Sequence, residues 1–183
     1  MPPPRPRRAV VADAAEIAAV HVDSWRETYA GMLPEGYLAS MEVGDYEDRW
    51  LRTLQDPYHR SLVYVAEEDG RVVGFASCGR ERDGDVRYDG ELYAIYLRVA
   101  AQHRGHGRAL VAVAADALAL QGMTSMVVWV LRENVPARGF YERLGGVYLR
   151  ERRLDLGLGM VLDVPEVSYV WTDTAVLRGR AGA

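Results

Sequence analysis

A glycine-broken turn between an apolar run and a helical pattern constrains this chain more than any other feature. The turn spans residues 102–108, follows the apolar run 92–97 and leads directly into the helical pattern that begins at Ala109. The first amides of a helix have no partner within the helix and carry partial positive charge. Glycine lets the backbone approach a ligand closely and adopt a positive φ. The order strand, turn, helix therefore predicts a site for a phosphate or pyrophosphate.

The spacing of this turn excludes two common phosphate-binding motifs. The sequence has no G-x-x-x-x-G-K-[ST], so the turn is not a P-loop. It has no third glycine that would complete G-x-G-x-x-G and no early βαβ unit, which argues against a dinucleotide fold. The sequence also contains neither the H-E-x-x-H motif of zinc proteases nor the G-x-S-x-G elbow of hydrolases. Its four scattered histidines and one cysteine predict no metal site.

Composition narrows the class of protein further. A chain of 183 residues, 49% of them hydrophobic, predicts one domain with a sizeable core. The formal net charge of -4 argues against nucleic acid as a partner and favours a cationic or amine substrate. Cys78 is the single cysteine, so no internal disulfide can form, and no signal peptide or membrane-spanning segment is visible. We therefore expect a cytoplasmic protein that contacts no membrane.

Apolar periodicity and turn signals predict the order βα(α)βββαβαββ, which is a mixed α/β arrangement. Asp13 and Glu16 have the spacing of a helix N-cap and its capping-box partner, and Asp69-Gly70 predicts a hairpin turn. The expected strands are 7–11, 61–67, 71–78, 91–99, 126–131, 147–154 and 167–171. The expected helices are 14–29, 34–41, 46–54, 105–120 and 136–144.

Two sequence blocks resemble the GNAT superfamily of acyl-CoA N-acyltransferases. The first is the pyrophosphate signature Gln102-x-x-Gly105-x-Gly107, and the second follows the next strand as Asn134-x-x-Ala137-x-x-Phe140-Tyr141-x-x-Leu144-Gly145. The resemblance extends over residues 8–171 and is most specific over 91–145. It implies a mixed, mostly antiparallel central sheet flanked by helices. It also implies acetyl-CoA as the co-substrate.

The resemblance also implies a division of the chain. Residues 1–6 are expected to form a disordered, proline-rich tail. Residues 7–173 are expected to form a single GNAT acyltransferase domain, and residues 174–183 a C-terminal tail.

The resemblance assigns the cofactor contacts to three segments. The pyrophosphate contacts, mainly through backbone N–H groups, fall on Gln102, His103, Arg104, Gly105, His106, Gly107 and Arg108. The alternative is a plain turn whose arginines face water. Backbone groups of Leu97 and Val99 are expected to pair with the pantetheine arm as an added strand would. Asn134 is expected to contact the same arm, and the alternative is a helix N-cap.

Two residues are catalytic candidates by the resemblance. Tyr141 would protonate the departing thiolate, since a phenol with an ordinary pKa near 10 keeps its proton at neutral pH. Its alternative is a packing tyrosine on an amphipathic helix. Glu91 would help to deprotonate the amine, and its alternative is a solvated carboxylate at a strand end. Strict strand alternation would place Glu91, Tyr93, Ile95 and Leu97 on one face.

The first helix supplies the candidate acceptor wall. His21, Trp25 and Tyr29 are four residues apart and form one row on a helix. The row belongs to a motif that resembles the start of many small bacterial GNAT proteins, where this helix overhangs the acceptor pocket. We expect Trp25 and Tyr29 to bind the acceptor, and ordinary core packing is the alternative. His21 fits a structural histidine better than a base.

The resemblance implies an N-acetyltransferase that moves an acetyl group to a primary amine by direct attack in a ternary complex. Three alternatives stay open. They are a non-catalytic acyl-CoA-binding or sensing domain, an enzyme for longer acyl chains, and an acetyltransferase of protein lysines or N-termini. The sequence does not identify the acceptor, which is a small-molecule amine or a protein amine. Oligomeric state is also open, and a homodimer is one expectation because many relatives pair through terminal strands or helices.

Overall fold

A seven-stranded sheet forms the centre of the protein, and the computed structural model describes residues 5–58, 60–156 and 161–178. The strands are β1 (Arg7–Arg8), β2 (Leu62–Glu68), β3 (Arg71–Arg80), β4 (Gly90–Leu97), β5 (Met126–Leu131), β6 (Val147–Asp155) and β7 (Val161–Trp171). Their order across the sheet is β1-β2-β3-β4-β5-β7-β6. The β4–β5 pair is parallel and the other neighbouring pairs are antiparallel. The expected mixed, mostly antiparallel sheet flanked by helices is confirmed.

Helices cover both faces of this sheet. They are α1 (Ala14–Thr28), α2 (Glu35–Ala39), α3 (Val43–Gln55), α4 (His106–Leu120) and α5 (Val135–Arg143). The long helix α4 connects β4 to β5, as a parallel pair requires. It packs with α5 against one face of the sheet, where it buries residues such as Leu110 and Leu118. Helices α1 to α3 pack on the opposite face, where Ile17 and Val20 are fully buried.

The start of α1 differs from the expected capping box. Asp13 makes no side-chain cap bond to the helix. Its carboxylate instead accepts two hydrogen bonds from the Arg7 guanidinium, both at 2.8 Å, and one from the Val10 amide at 2.7 Å. Glu16 accepts from the amide of Val72 on β3 at 2.7 Å. Asp13 occupies the predicted N-cap position, but the predicted capping box is wrong, because both carboxylates bind groups outside α1.

The hairpin and the chain ends complete the fold. Asp69 and Gly70 both have positive φ, 50° and 75°, which confirms the predicted turn between β2 and β3. The segment expected to be a C-terminal tail starts with a short 3-10 helix, Thr174–Leu177, whose two terminal residues are buried. Residues 1–4 and 179–183 of the expected tails lie outside the described residues, so the domain limits stay predictions.

Two further expectations concern the described part of the chain only. None of its helices is long and apolar enough to cross a membrane. Within the same residues, no group of three His, Cys, Asp or Glu side chains is arranged to bind a metal ion.

Candidate functional site

Strands β4 and β5 are paired over a short length and then separate. Residues 90–92 pair with residues 126–128, and the pairing ends there. The burial of β4 changes at the same point, since its first three residues are buried and the next five are half-buried. A cleft therefore opens between residues 93–97 of β4 and residues 129–131 of β5. We call it the β4–β5 cleft.

A β-bulge lies at the point where the strands separate. On β3 the neighbouring residues Ser77 and Cys78 pair with Ala94 and Leu92 of β4. Tyr93, which lies between the latter two, is therefore an extra residue on β4 with no partner on β3. A bulge of this kind bends its strand and increases the local twist. It therefore accounts for the departure of β4 from β5 directly after Leu92.

The bulge also makes one prediction wrong, because Glu91, Tyr93, Ile95 and Leu97 do not share a face. Leu92, Ile95 and Leu97 all pack in the core on the α4 side of the sheet. Strict alternation would have put Leu92 and Ile95 on opposite faces. The extra residue between them shifts the alternation by one position.

Backbone groups of β4 point into the β4–β5 cleft. Arg98 donates its amide to the Val73 carbonyl at 2.9 Å. Successive residues of an antiparallel strand direct their backbone groups to opposite sides, so the N–H and C=O of Leu97 point away from β3. The Leu97 carbonyl accepts hydrogen bonds from Ser24 Oγ at 3.4 Å and from Gln102 Nε2 at 3.3 Å. Gln102 thus joins the following turn to the end of β4.

The turn between β4 and α4 has the backbone of an anion-binding segment. Strand β4 ends before Val99, which belongs to a 3-10 helix and not, as expected, to the strand. His103 and Gly105 both have positive φ, 60° and 92°. Helix α4 begins at His106, so the amides of His106, Gly107 and the next residue, Arg108, lie in its first turn. The predicted combination of glycine turn and helix start is present.

Two side chains of this turn contact a residue that sequence analysis did not single out for this role. Arg104 Nη1 lies 2.6 Å from Glu68 Oε2, and His106 Nε2 lies 2.7 Å from Glu68 Oε1. These contacts, the one with His106 first, lower the pKa of Glu68. His106 is 1% exposed, and its Nδ1 has no hydrogen-bond partner among the described residues. Glu68 at the end of β2 thus fixes two side chains and leaves the turn's amides for a ligand.

Gly107 is the position where three elements meet. A Cβ atom at this residue would lie 3.3 Å from the Phe140 ring on α5 and 3.4 Å from Leu97 Cδ1 on β4. The missing side chain therefore lets the first turn of α4 approach both neighbours closely. Together with the left-handed residues before it, this geometry fits a pyrophosphate group on the backbone of the turn.

Helix α5 carries two of the predicted residues. Asn134 Oδ1 accepts from the Ala137 amide at 3.2 Å, so the N-cap interpretation is confirmed. Its contact with a pantetheine arm stays a prediction. Tyr141 is buried, and its ring centre lies 5.4 Å from that of Phe140 and 6.2 Å from that of Trp171. Burial raises the pKa of Tyr141 above its usual value, so the phenol keeps its proton at neutral pH.

Glu91 lies in the paired part of β4, before the bulge. It is 2% exposed, and both of its carboxylate oxygens contact Arg82. Arg82 Nη2 is 2.5 Å from Oε1, while its Nε and its backbone amide are each 3.1 Å from Oε2. The alternative of a solvated carboxylate is therefore wrong. Glu91 is a buried ion-pair member at the closed end of the β4–β5 cleft.

The predicted row of His21, Trp25 and Tyr29 is present on α1. The ring centres of His21 and Trp25 are 5.6 Å apart, and those of Trp25 and Tyr29 are 5.1 Å apart. His21 Nδ1 accepts from Trp50 Nε1 at 3.3 Å, and burial lowers its pKa to about 3. A neutral, hydrogen-bonded imidazole agrees with the expected structural role of His21.

Tyr96 completes this wall and was missed by sequence analysis. It lies on the separated half of β4, is half-buried, and stacks on His21 with ring centres 5.1 Å apart. Its ring centre is 6.2 Å from that of Trp25. We call Trp25, Tyr29 and Tyr96 the aromatic wall. The bulge explains the omission. Strict alternation from Leu92 would place Tyr96 on the α4 side of the sheet, whereas it packs on the opposite side.

Glu166 on β7 was also missed. It is 5% exposed, and its Oε1 accepts from Arg152 Nε at 2.6 Å. Burial raises the pKa of this carboxyl despite the arginine. The same Arg152 guanidinium lies 3.7 Å from the centre of the Trp129 ring on β5. The one sequence signal was a single carboxylate directly before the expected strand 167–171.

Comparisons with known proteins agree with this geometry. The model of the acetyltransferase (GNAT) family matches residues 20–146. The chain is 41% identical over 174 residues to the uncharacterized N-acetyltransferase YuaI of Bacillus subtilis strain 168. The alignment covers 94% of this chain and 95% of that protein.

Solved structures share the fold at lower sequence identity. The PaiA N-acetyltransferase of Thermoplasma acidophilum, solved in complex with coenzyme A, is 21% identical with a TM-score of 0.71, covering 91% of this chain and 98% of that one. The protein yncA of Salmonella typhimurium, solved with its cofactor acetyl-CoA, is 22% identical with a TM-score of 0.66, covering 91% of both chains. With the family match, the close relative and the cleft beside a glycine turn in agreement, the chain belongs to the GNAT family of acetyltransferases.

Proposed function

We propose that this protein moves an acetyl group from acetyl-CoA to a primary amine by direct attack within a ternary complex. The observation that carries the proposal is the β4–β5 cleft, with a glycine turn and a helix start at one end and an aromatic wall along one side. Membership of the acetyltransferase family supports the reaction type. The coenzyme A and acetyl-CoA in the two structural neighbours support the same donor here.

The donor would be bound at two places by backbone groups. The amides of the first turn of α4, from His106 to Arg108, would bind the pyrophosphate. The N–H of Leu97, which points into the cleft, would pair with the pantetheine arm as an added strand would. Both contacts use the backbone, so they depend on the bulge and the turn more than on particular side chains.

Acetyl-CoA supplies the acetyl group as a thioester. In the overall reaction a C–N bond forms and the C–S bond breaks, while the amine loses a proton and the thiolate gains one. The protein must therefore provide a group that accepts a proton and a group that donates one. Backbone N–H groups at the end of β4 would stabilise negative charge on the carbonyl oxygen.

Tyr141 is the proposed proton donor to the thiolate. Its raised pKa means that the hydroxyl is protonated whenever the thiolate leaves. It lies on α5 in the core on the α4 side of the sheet, where Ile95 and Leu97 of the separated half of β4 also pack. A donor at this position would lie at the cleft, while the amine would approach from the aromatic wall on the other side.

Glu91 is the proton acceptor that the resemblance implies, but its surroundings favour a structural role. Arg82 contacts both oxygens, so a proton could bind only by weakening two hydrogen bonds to an arginine that compensates the buried charge. The acceptor site is better defined. Trp25 and Tyr96 are half-buried and Tyr29 is buried, which favours a small amine over an extended protein segment.

The test is acetyl transfer to a panel of primary amines by the wild type and by Tyr141→Phe. We expect the wild type to acetylate at least one amine and Tyr141→Phe to lose about 10²-fold in kcat, the usual contribution of a general acid. Tyr148→Phe is the matched control because Tyr148 is exposed on β6. Donor binding without turnover of any amine would contradict the proposal and favour a sensing domain.

A further inference from the structure

Glu166 lies beside the open half of the β4–β5 cleft. In the β5–β7 register it faces Leu131, three positions beyond Val128, where the pairing of β4 with β5 ends. Residues that face each other on paired strands project to the same side of the sheet. Leu131 packs in one cluster with Tyr29, and Tyr96 packs against that cluster. Glu166 is therefore on the side of the sheet that carries the aromatic wall.

The charge of Glu166 acts on the aromatic wall. Burial is the main cause that raises the pKa of Tyr29 to about 12, and the charge of Glu166 adds to it. Burial is also the main cause that raises the pKa of Tyr96, followed by the neighbouring Tyr29, and the charge of Glu166 makes a smaller contribution in the same direction. Glu166 and the two phenols thus lie on the same side of the sheet, and the carboxylate charge disfavours ionisation of both.

Glu166 and Glu91 differ in how their arginines hold them. Arg152 gives Glu166 one hydrogen bond, to Oε1, and uses Nη1 for Asp83 at 2.5 Å. Arg82 contacts both oxygens of Glu91. Burial raises the pKa of Glu166, the Arg152 hydrogen bond opposes this, and the charges of Asp83 and Glu91 add to the rise. A carboxylate with a raised pKa is the stronger base near neutral pH.

We propose that Glu166 binds the ammonium group of the acceptor and takes its proton, and that the acceptor is a small primary amine that is cationic at neutral pH. This inference rests on the proposed function and identifies its substrate class. The proton moves from the amine nitrogen to a Glu166 oxygen, and the freed lone pair forms the C–N bond. The C–S bond breaks as Tyr141 protonates the thiolate, and the nitrogen of the new amide gives up its second proton to solvent. Glu166 then releases its proton to solvent and Tyr141 takes one back, so each turnover releases one net proton.

The proposal is tested with the full chain by measuring kcat/KM for the best amine of the panel between pH 6 and 9.5. The variants are Glu166→Gln, Glu91→Gln and the matched control Glu151→Gln, whose residue is exposed on β6. We expect Glu166→Gln to lose about 10²-fold at pH 7. The loss should become smaller as the pH rises, because solution then supplies the free amine. Glu151→Gln should match the wild type throughout.

The outcomes separate this inference from the proposed function. If the wild type acetylates no amine of the panel, the proposed function fails and this inference fails with it. If the wild type is active and Glu166→Gln keeps its rate and pH profile, only this inference is overturned. A pH-dependent loss in Glu91→Gln instead would assign the proton acceptor to Glu91.

A second variant covers the case in which Glu166→Gln does not fold. The charged and titratable groups near Glu166 are Arg152, Asp83, Glu91, Tyr29 and Tyr96. Arg152→Gln removes the group that opposes the rise in the pKa of Glu166. We therefore expect the acidic limb of the kcat/KM profile to move to higher pH, and an unmoved limb would contradict the proposal.

Discussion

His21 shows how strongly one side chain can depend on its neighbours. Its imidazole lies with ring centres 4.6 to 6.0 Å from those of five aromatic residues on α1, α3, β3 and β4. Burial, with a smaller contribution from Arg49, lowers its pKa from 6.5 to about 3. The sequence alone indicated only a structural histidine. The size of the effect depends on rings that are distant in sequence, such as Phe75 and Tyr96.

The lowered pKa predicts a pH dependence of stability. The unfolded chain protonates His21 near pH 6.5, whereas the folded chain does so only near pH 3. The stabilisation is therefore complete above pH 6.5 and is lost as the pH falls through this window. When the pH falls from 7 to 5, the free energy of unfolding therefore decreases by about 2 kcal/mol because of His21. We expect His21→Gln to remove this part of the pH dependence in urea unfolding.

The matched control for His21 is the exposed His103 in the turn. His103→Gln should keep the wild-type difference between the free energies of unfolding at pH 7 and pH 5. An equal pH dependence in His21→Gln and the wild type would contradict the prediction. It would show that the imidazole takes up a proton over the same pH range in the folded and the unfolded chain.

At the scale of elements, two helices offer a matched comparison. Gly107 and Gly44 are each the second residue of their helix, α4 and α3 respectively. A Cβ at Gly44 would have no atom within 4 Å, whereas one at Gly107 would contact Phe140 and Leu97. Both positions accept an acidic residue electrostatically, since it lies near a helix N-terminus. Only the site on α4 is expected to bind a pyrophosphate.

This comparison predicts the effect of acetyl-CoA on thermal unfolding. A ligand that binds only the folded state raises the free energy of unfolding, by about 2.7 kcal/mol at a ligand concentration of 100 times its Kd. The Tm rises with it. We expect acetyl-CoA to raise the Tm of the wild type and of Gly44→Glu but not of Gly107→Glu. The glutamate at 107 would repel the phosphates and fill the space beside Phe140. An equal shift in all three proteins would place the donor elsewhere.

The elements with clear boundary signals were predicted closely. Strand β5 has the expected bounds 126–131, and the Asp69-Gly70 turn has the expected positive φ values. The bulge at Tyr93 was not predictable in the same way, because β4 carries apolar or aromatic residues on both faces and shows no period to interrupt. The backbone position of the bulge, and with it the cleft, depends on pairing with β3.

Glu166 was missed for a related reason. A carboxylate is rarely buried without a partner, so the expected strand began after it at Val167. Its partner Arg152 is on β6, fourteen residues earlier, and the observed β7 begins at Val161. Contacts of this kind depend on strand register, which the local sequence does not determine.

At the scale of the whole molecule, the sheet consists of two halves with a short connection. Strands β1 to β4 form one half, β5 to β7 form the other, and the direct pairing between them is limited to residues 90–92 with 126–128. Beneath the sheet, residues of α4 share one apolar cluster with residues from strands of both halves. The cleft is thus a gap in an otherwise continuous ladder of hydrogen bonds.

This organisation predicts a local pattern of hydrogen exchange. Without ligand, the amides of residues 95 and 97 that point into the cleft should exchange faster than those of residues 90–92 in the same strand. Acetyl-CoA should slow the exchange of the former, because the pantetheine arm would supply hydrogen-bond partners. Hydrogen-exchange mass spectrometry with and without acetyl-CoA measures this directly. Protection confined to α4 would argue against strand-like binding of the arm.

The short connection between the two halves has a consequence for the protein's lifetime. With acetyl-CoA bound as proposed, the ligand would bridge the halves where the backbone ladder is missing, so openings of the sheet along this line would be rarer. Proteolysis often follows such openings. The rate at which the protein is degraded would then fall as the acetyl-CoA concentration rises, and the amount of enzyme would follow the supply of its own acetyl donor without any change in gene expression.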